Sequence, residues 1–414
     1  MRLTSPDPRR PSLTTVELIA MVGGLMALNA LSIDIMLPAL GVTGEALGAP
    51  GNERQLIITA YLFGFGAAQL LFGPLADSLG RRRTLLGALI AYLAATALCI
   101  MAPDMTLMVI ARFLQGVAAA ATRVVAIALV RDLVSGRRMA EIMSFALTVF
   151  MIAPILAPGL GQLILFVAPW QAIFGALFVM SAGLTVWMAL RLPETLRPEY
   201  RISLNPASAW RNYVLAASHR MTLGYMTASS LIFGALFAFI ASSEQVMAEL
   251  YGLGAWFPVA FGAVALGLAG ANIVNARIVR RLGMRRISHA ALAGFTAVNL
   301  IHLAIALMMH PPFWLYYALL TLALMLFAMV GANFSALAME PAGERAGTTA
   351  ALYGAVTSMS GAVLGALIGL AYDGTVAPLI LGFVVMGVLA IAVVIWTERG
   401  VMFGAGEPYG DEES

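Results

Sequence analysis

The stretch FGPLADSLGRRR, residues 72–83, joins the end of a long apolar run to three consecutive arginines. Gly80 permits a tight turn there, and Asp77 can accept charge-assisted hydrogen bonds from the arginines that follow. A second stretch, NARIVRRLGMRR at 275–286, repeats the Leu-Gly pair and the arginines about half a chain later. Repeats on this scale predict two similar halves with a path between them.

The composition places both halves in a membrane. The chain has 414 residues, of which 61% are hydrophobic and 11% are charged, whereas soluble domains average ~45–50% apolar and ~25% charged residues. Apolar runs of roughly 20 residues recur from end to end, and each is long enough to cross the hydrocarbon core as a helix. Because these runs are apolar on all sides, we predict an all-α membrane protein.

The apolar runs predict twelve transmembrane helices in two six-helix, pseudo-symmetric bundles. A long polar connection at 192–219 falls at the midpoint of the chain. It is the predicted linker between an N-terminal bundle (1–191) and a C-terminal bundle (220–396), and 397–414 is a predicted tail. The predicted spans are 16–40, 54–75, 84–102, 105–130, 140–167, 171–191, 220–243, 255–278, 287–309, 313–338, 347–371 and 376–396.

Arginine placement predicts the orientation. The sequence has no lysine, and its arginines cluster in every second connection, whereas the alternate connections hold Arg54 and almost no other base. The positive-inside rule therefore puts both termini and the central linker in the cytoplasm.

Few ionisable residues lie deep within the predicted spans, where a charge is costly and is a functional hypothesis by default. Asp34 in span 1 is either a structural acid that pairs with an arginine or a proton carrier. Burial and neighbouring charges shift a carboxyl pKa in opposite directions, so a buried acid near an arginine can titrate in the working pH range. Arg112 and Arg123 in span 4 lie about three helical turns apart on one face. Either could serve Asp34, although Arg123 could instead extend to the headgroups.

Further candidate residues lie elsewhere in the chain. Glu244, at the outer end of span 7, is expected to be a solvated end charge that could attract cations. Gly73, Asp77, Gly80 and Arg81 are predicted to form a cytoplasmic latch. Pro154, Pro158, Gly159 and Gly161 predict a kinked helix in span 5 that a neighbour can approach closely. Ordinary helix packing is the simpler explanation for each of the candidate cavity residues, which are Asn29, Tyr61, Gln115, Phe233, Phe237, Asn272, Asn333 and Tyr353.

Several function classes are excluded or disfavoured. A nucleotide-binding loop of the GxxxxGK[ST] type needs a lysine, which this chain lacks. Energy must therefore come from an ion gradient or from a separate subunit. One cysteine and four scattered histidines provide no disulfide framework and no metal-ligand spacing. With no nucleophile–base constellation, we expect no enzyme activity, no cofactor and no metal.

Together these motifs resemble those of the major facilitator superfamily. GPLADSLGRRR is similar to its signature between spans 2 and 3, RFLQGVAAAATRVVAIALVRD (112–132) to its span 4 arginine motif, and APILAPGLG (153–161) to its antiporter motif in span 5. IDIMLPAL in span 1, the ALVRD end of span 4 and AMEPAGERAGTTAAL after span 10 resemble the bicyclomycin/chloramphenicol-resistance (Bcr/CflA) group of drug:proton antiporters.

The resemblance implies export of drugs or small amphipathic metabolites by alternating access, in exchange for protons, across a bacterial inner membrane. Asp34 would be the protonated and substrate-linked acid, Arg112 the span 4 arginine, and Asp77 with Arg81 the latch. The expected partners are a small-molecule substrate, protons and the lipid bilayer; we expect a monomer that binds no nucleic acid. Related sequences often have a proline where this chain has Glu244 and an arginine where it has Ile127. These two departures could suit a charged or zwitterionic ligand.

Two alternatives stay open. The same scaffold could import a siderophore or a peptide-like compound together with protons, although the span 5 motif favours export. A membrane-embedded sensor or enzyme without transport would need catalytic clusters or an output domain, and the sequence shows neither.

Overall fold

The computed structural model describes residues 2–3, 13–134, 136–201 and 205–404. Within these residues twelve helices are long and apolar enough to cross a membrane, which confirms the predicted number. The predicted tail from residue 405 onward lies outside the described residues, as do 4–12 and the linker residues 202–204. The spans, numbered in chain order, are Thr15–Ala46, Asn52–Leu79, Arg81–Met101, Met105–Leu133, Glu141–Val167, Gln171–Arg191, Arg220–Leu250, Gly254–Leu282, Met284–Met308, Phe313–Gly343, Ala346–Leu370 and Ala377–Thr397.

Two spans are interrupted where function is expected. The α-helix of span 1 ends at Asp34 and is followed by a 3-10 turn, Leu37–Ala39, and a short helix, Leu40–Ala46. Pro38 causes this break, because a proline has no N–H to donate to the carbonyl four residues earlier, which here belongs to Asp34. Span 7 changes from α-helix to π-helix over Glu244–Leu250, and π-helical segments are frequent at functional sites.

The helices pack in two groups. Spans 1–6 contact mainly one another, as do spans 7–12, and the two groups meet chiefly where span 2 lies along span 11 and span 5 lies along span 8. We propose that these groups are the two predicted bundles, 1–191 and 220–396, with 192–219 between them. Polar and ionisable side chains at the boundary between the groups can therefore respond when one group moves against the other.

The two faces of the molecule differ in charge. Span 1 begins and span 12 ends on the same face, which also carries the predicted arginine clusters; we call it the basic side and the other face the opposite side. The linker contains a helix, Pro206–Ser218, that was not predicted. Asn205 caps it by accepting a hydrogen bond from the Ser208 backbone N–H, and Pro206 suits its first turn. The Tyr213 hydroxyl donates to the Leu70 carbonyl at 2.9 Å, so this helix lies across the basic side.

Candidate functional site

A cavity of about 1140 Å³ lies between the two groups of helices. It extends from the linker helix on the basic side, where Asp77, Arg131 and Tyr213 line it, to Asp34 near the break in span 1. Burial, and then the nearby Asp77 carboxylate, raise the pKa of Tyr213, so its phenol stays protonated and able to donate to Leu70. The cavity is therefore accessible from the basic side and ends at a carboxylate.

Asp34 has no partner among the described residues. Its side chain is 4% exposed and lines the cavity, and it forms no ion pair with Arg112 or Arg123. A carboxylate in such a place is costly unless it is protonated or bound by a ligand. Asp34 is thus available to a proton or a ligand group, because no arginine that the structure describes neutralises it.

Arg112 holds the backbone around Asp34 and lies outside the cavity. It is fully buried, and its guanidinium donates to the carbonyls of Ile57 and Ser32, each at 3.0 Å. It also donates to Gln115, and its guanidinium carbon lies 4.5 Å from the centre of the Tyr61 ring. Arg112, in span 4, therefore links spans 1 and 2 through their backbone carbonyls and the Tyr61 ring. Its contact in span 1, Ser32, lies two residues before Asp34.

Arg123 occupies a different environment. Its side chain is exposed to the cavity, which it lines together with Val124, Ile127 and Arg131 of the same helix. The sequence predicts one face for the two arginines of span 4, but that face packs against spans 1 and 2 at Arg112 and meets the cavity at Arg123. The difference in exposure between Arg112 and Arg123 is therefore caused by how the neighbouring spans pack against span 4.

The predicted kink in span 5 contacts span 1 directly beside Asp34. A Cβ atom at Gly161 would lie 2.0 Å from the Ile35 carbonyl oxygen and 3.1 Å from the Pro38 ring, whereas a Cβ at Gly159 would have no atom within 4 Å. Pro154 lines the cavity. Within this motif Gly161 thus allows the close approach that fixes the interrupted part of span 1.

Gly161→Ala is expected to slow transport, because the new methyl group must push the backbone next to Asp34, and overpacking typically costs about 1–3 kcal/mol. Gly159→Ala, which adds the same methyl group two residues earlier in open space, is the matched control and should transport normally. Initial transport rates of the two variants at equal membrane abundance measure the difference. Equal rates would show that the contact with Ile35 is unimportant.

The structure divides the predicted cavity residues into two sets. Five line the cavity, namely Asn29, Phe233, Phe237, Asn272 and Tyr353. Three do not: Tyr61 and Gln115 belong to the Arg112 cluster, and Asn333 is buried and donates to Asn275 at 2.8 Å. Sequence alone could not separate the sets, because a polar residue in a span suits helix–helix hydrogen bonding as well as a cavity.

The predicted latch residues come together on the basic side. Arg81 contacts Asp77 at 2.6 Å and Asp132, at the end of span 4, at 3.0 Å. The Arg81 backbone N–H donates to Glu194 at 2.8 Å. Gly80 is required because its φ is +99° and a Cβ there would lie 2.3 Å from a Glu194 carboxylate oxygen. Gly73 lines the cavity nearby.

Two latch residues were missed by the sequence analysis. The sequence analysis assigned no role to Asp132 or Glu194, although the acidic residue in LPET directly after span 6 was an available signal. With them, the latch ties spans 2, 3 and 4 to the start of the linker. It makes no ion pair with spans 7–12 among the residues that the structure describes.

The opposite side is closed by polar contacts between the two groups of helices. Arg54 binds both carboxylate oxygens of Glu249 at 2.8 and 2.6 Å and lies 3.6 Å from Glu244. Asn52 donates to the carbonyls of Leu370 and Tyr372 at 3.0 and 2.7 Å. We call the cluster of Asn52, Arg54, Glu244, Glu249 and Tyr372 the opposite-side gate. Gln55 of span 2 adds a hydrogen bond to Gln245 of span 7.

The expectation for Glu244 was wrong. It is 6% exposed and sits in the gate beside Arg54, not as a solvated end charge. The physical reason is tertiary: span 7 continues as a π-helix beyond Ser243, which turns the acid toward span 2. Arg54, noted in the sequence only as an isolated base, is its partner.

Known transport proteins are similar to this chain in sequence. The family profile of the Major Facilitator Superfamily matches residues 22–366. The chain is 31% identical over 361 residues to the uncharacterized MFS-type transporter YdgK of Bacillus subtilis, covering 86% of this chain and 89% of that protein. It is 30% identical over 382 residues to a bicyclomycin resistance protein homolog of Haemophilus influenzae, covering 91% and 96%.

Solved structures share the fold at low identity. The crystal structure of a D-xylose-proton symporter has a TM-score of 0.73 and 15% identity, covering 92% of this chain and 96% of that one. The human organic anion transporter MFSD10 has a TM-score of 0.65 and 18% identity, covering 92% and 100%.

Proposed function

Because the chain belongs to the major facilitator superfamily, whose members are membrane transporters and not enzymes, we propose that it exports drugs or small amphipathic metabolites in exchange for protons. The relatives named for bicyclomycin resistance and for multidrug resistance support export. We further propose that it acts as a monomer in the inner membrane of a bacterium, with the basic side and both termini in the cytoplasm.

The observation that carries this proposal is the unpartnered Asp34 at the closed end of a one-sided cavity. A carboxylate there can hold a proton or attract a positively charged substrate group, but not both at once. Competition at one acid is sufficient to exchange a proton for a substrate. Proton-driven exchange needs a titratable group on the transport path, and Asp34 is the described acid that lines the deep end of the cavity.

The two ends of the cavity support alternating access. The path to the basic side is open, whereas the gate closes the opposite side through contacts between spans 2, 7 and 11. Breaking the gate while closing the basic side would expose Asp34 to the other solution. In this proposal the described conformation is the one that takes substrate from the cytoplasm.

Proteoliposomes with an acidic lumen and an internal pH-sensitive dye test the direction of coupling. When a compound from a panel of antibiotics and dyes is added outside, antiport predicts that it accumulates while the lumen becomes more alkaline. Import together with protons predicts instead that the lumen becomes more acidic as the compound enters. Liposomes without protein give the leak rate. A pH trace that no compound alters would overturn proton coupling.

A further inference from the structure

The walls of the cavity are chemically asymmetric, and this constrains what can bind. Among the residues that the structure describes, the charged side chains that line it all come from spans 1–4, namely Asp34, Asp77, Arg81, Arg123 and Arg131. Asp77 and Arg81 neutralise each other at 2.6 Å. This leaves one free acid and two free arginines facing the cavity.

The described residues that form the wall from spans 7, 8, 10 and 11 are uncharged, and five of them are aromatic: Phe233, Phe237, Phe239, Phe261 and Tyr353. The ring centre of Phe233 lies 5.9 Å from that of Phe237 and 5.4 Å from that of Phe327, both in edge-to-face geometry. Phe239 stacks on Phe261 with their ring centres 5.4 Å apart. Such a surface favours the apolar body of a ligand. A ligand that satisfies both walls has its charges toward spans 1–4 and its apolar surface toward spans 7–11.

The free charges lie at different depths. The contact of Arg112 with the Ser32 carbonyl places Asp34 at about the depth of Arg112. Arg123 lies about three turns further along span 4, a rise of about 16 Å toward the basic side. The Arg123 side chain spans part of this distance, so a ligand that contacts both Asp34 and Arg123 needs opposite charges about 10 Å apart. An extended tripeptide has about this length.

We propose that the substrate is an elongated zwitterion, with an ammonium group at Asp34, a carboxylate or phosphate group at Arg123, and an apolar middle on the aromatic wall. This rests on the proposed function, because antiport requires a positive group to compete with the proton at Asp34. Arg123 then meets the opposite end of the same molecule, where a guanidinium binds a carboxylate or phosphate in bidentate fashion.

The assignment gives Asp34 and Arg123 each a partner of opposite charge. A purely cationic compound would occupy Asp34 and leave its other end beside Arg123, which repels cations. A purely anionic compound would bind Arg123 and have no means to displace the proton.

Four probes that share one tripeptide sequence and differ only in their terminal charges test the proposal. They are Phe-Ala-Phe, its C-terminal amide, its N-acetyl form, and the form blocked at both ends. Calorimetric titration of the purified protein measures their affinities. The free tripeptide should bind at least about tenfold more tightly than the amide, because a charge-assisted hydrogen bond contributes about 1.5–3 kcal/mol. Affinity of the free-amine probes should fall as pH is lowered, since protons compete for Asp34.

Variants locate the anion contact. Arg123→Gln should remove the preference for the free acid over the amide, and Arg123→Lys should keep part of it. Arg131→Gln, which removes the same charge from the same helix nearer the mouth, is the matched control and should keep the preference. Equal binding of acid and amide by the unmodified protein would overturn the proposal, as would equal effects of the two glutamine variants.

The outcomes separate this inference from the proposed function. Drug export driven by a pH gradient, combined with failure of all four probes to bind, rejects the zwitterion and leaves antiport intact. Selective binding of the free tripeptide without any proton-driven exchange keeps the recognition site and rejects antiport.

Discussion

Asp34→Asn is expected to abolish transport driven by a pH gradient, reducing accumulation to the level of liposomes without protein. The amide is nearly the same size as the carboxyl but cannot carry a proton. Because Asp34 makes no ion pair or hydrogen bond with another described residue, its replacement breaks no contact in the fold. The variant should therefore reach the membrane in normal amounts, which separates loss of coupling from loss of structure.

The measurement is lumenal pH and compound accumulation in the same proteoliposomes, beside the unmodified protein. Asp34→Glu, which keeps the titratable group on a longer side chain, should retain part of the exchange. Glu199→Gln removes an exposed acid in the linker and is the matched control, expected to transport normally. Accumulation by Asp34→Asn at the unmodified rate would rule out its role as the proton carrier.

Arg54→Ala is expected to shift the protein toward a conformation open on the opposite side. The Arg54 side chain is 4% exposed and joins span 2 to Glu249 of span 7. Arg54 is also the one arginine among the described residues that forms an ion pair with Glu244. Losing a buried partner costs about 3–5 kcal/mol. Because Glu249 is half exposed, we expect about 2 kcal/mol here, or about thirtyfold in the conformational equilibrium.

Spin labels can measure this shift. With Cys99→Ser as background, labels at Glu53→Cys and Asp373→Cys stand on exposed positions on the two sides of the gate. Arg54→Ala should add a population with a longer label–label distance. Arg345→Ala removes an exposed arginine on the basic side and should leave the distances unchanged. Identical distance distributions for both variants would mean that the gate contacts do not hold the closed state.

Local patterns predicted the parts of this protein that depend on local physics. Twelve spans follow from apolar length alone, since a helix must satisfy its own backbone in lipid. The tight turn at Gly80 and the Asp77–Arg81 pair follow from residues close in sequence, one helical turn apart. The family resemblance rested on the same short motifs and is confirmed by the match over residues 22–366.

The sequence also predicted the functional acid, but not which residues surround it. Asp34 was predicted as the functional acid within a span, and whether it is the proton carrier stays a prediction. Its expected arginine partner could be either Arg112 or Arg123, and the structure pairs it with neither. Helical periodicity placed both arginines on one face, but periodicity carries no information on what packs against that face at each depth.

By itself, then, the sequence determined a membrane protein of twelve helices with a repeated turn, because hydropathy and turn chemistry act over a few residues. Only the tertiary structure decided that Arg112 is buried among carbonyls while Arg123 faces a cavity. It also decided that Glu244 closes a gate with Arg54 from a distant part of the chain. Burial and ion pairing depend on neighbours brought together by packing, and span-to-span packing is not encoded in any one segment.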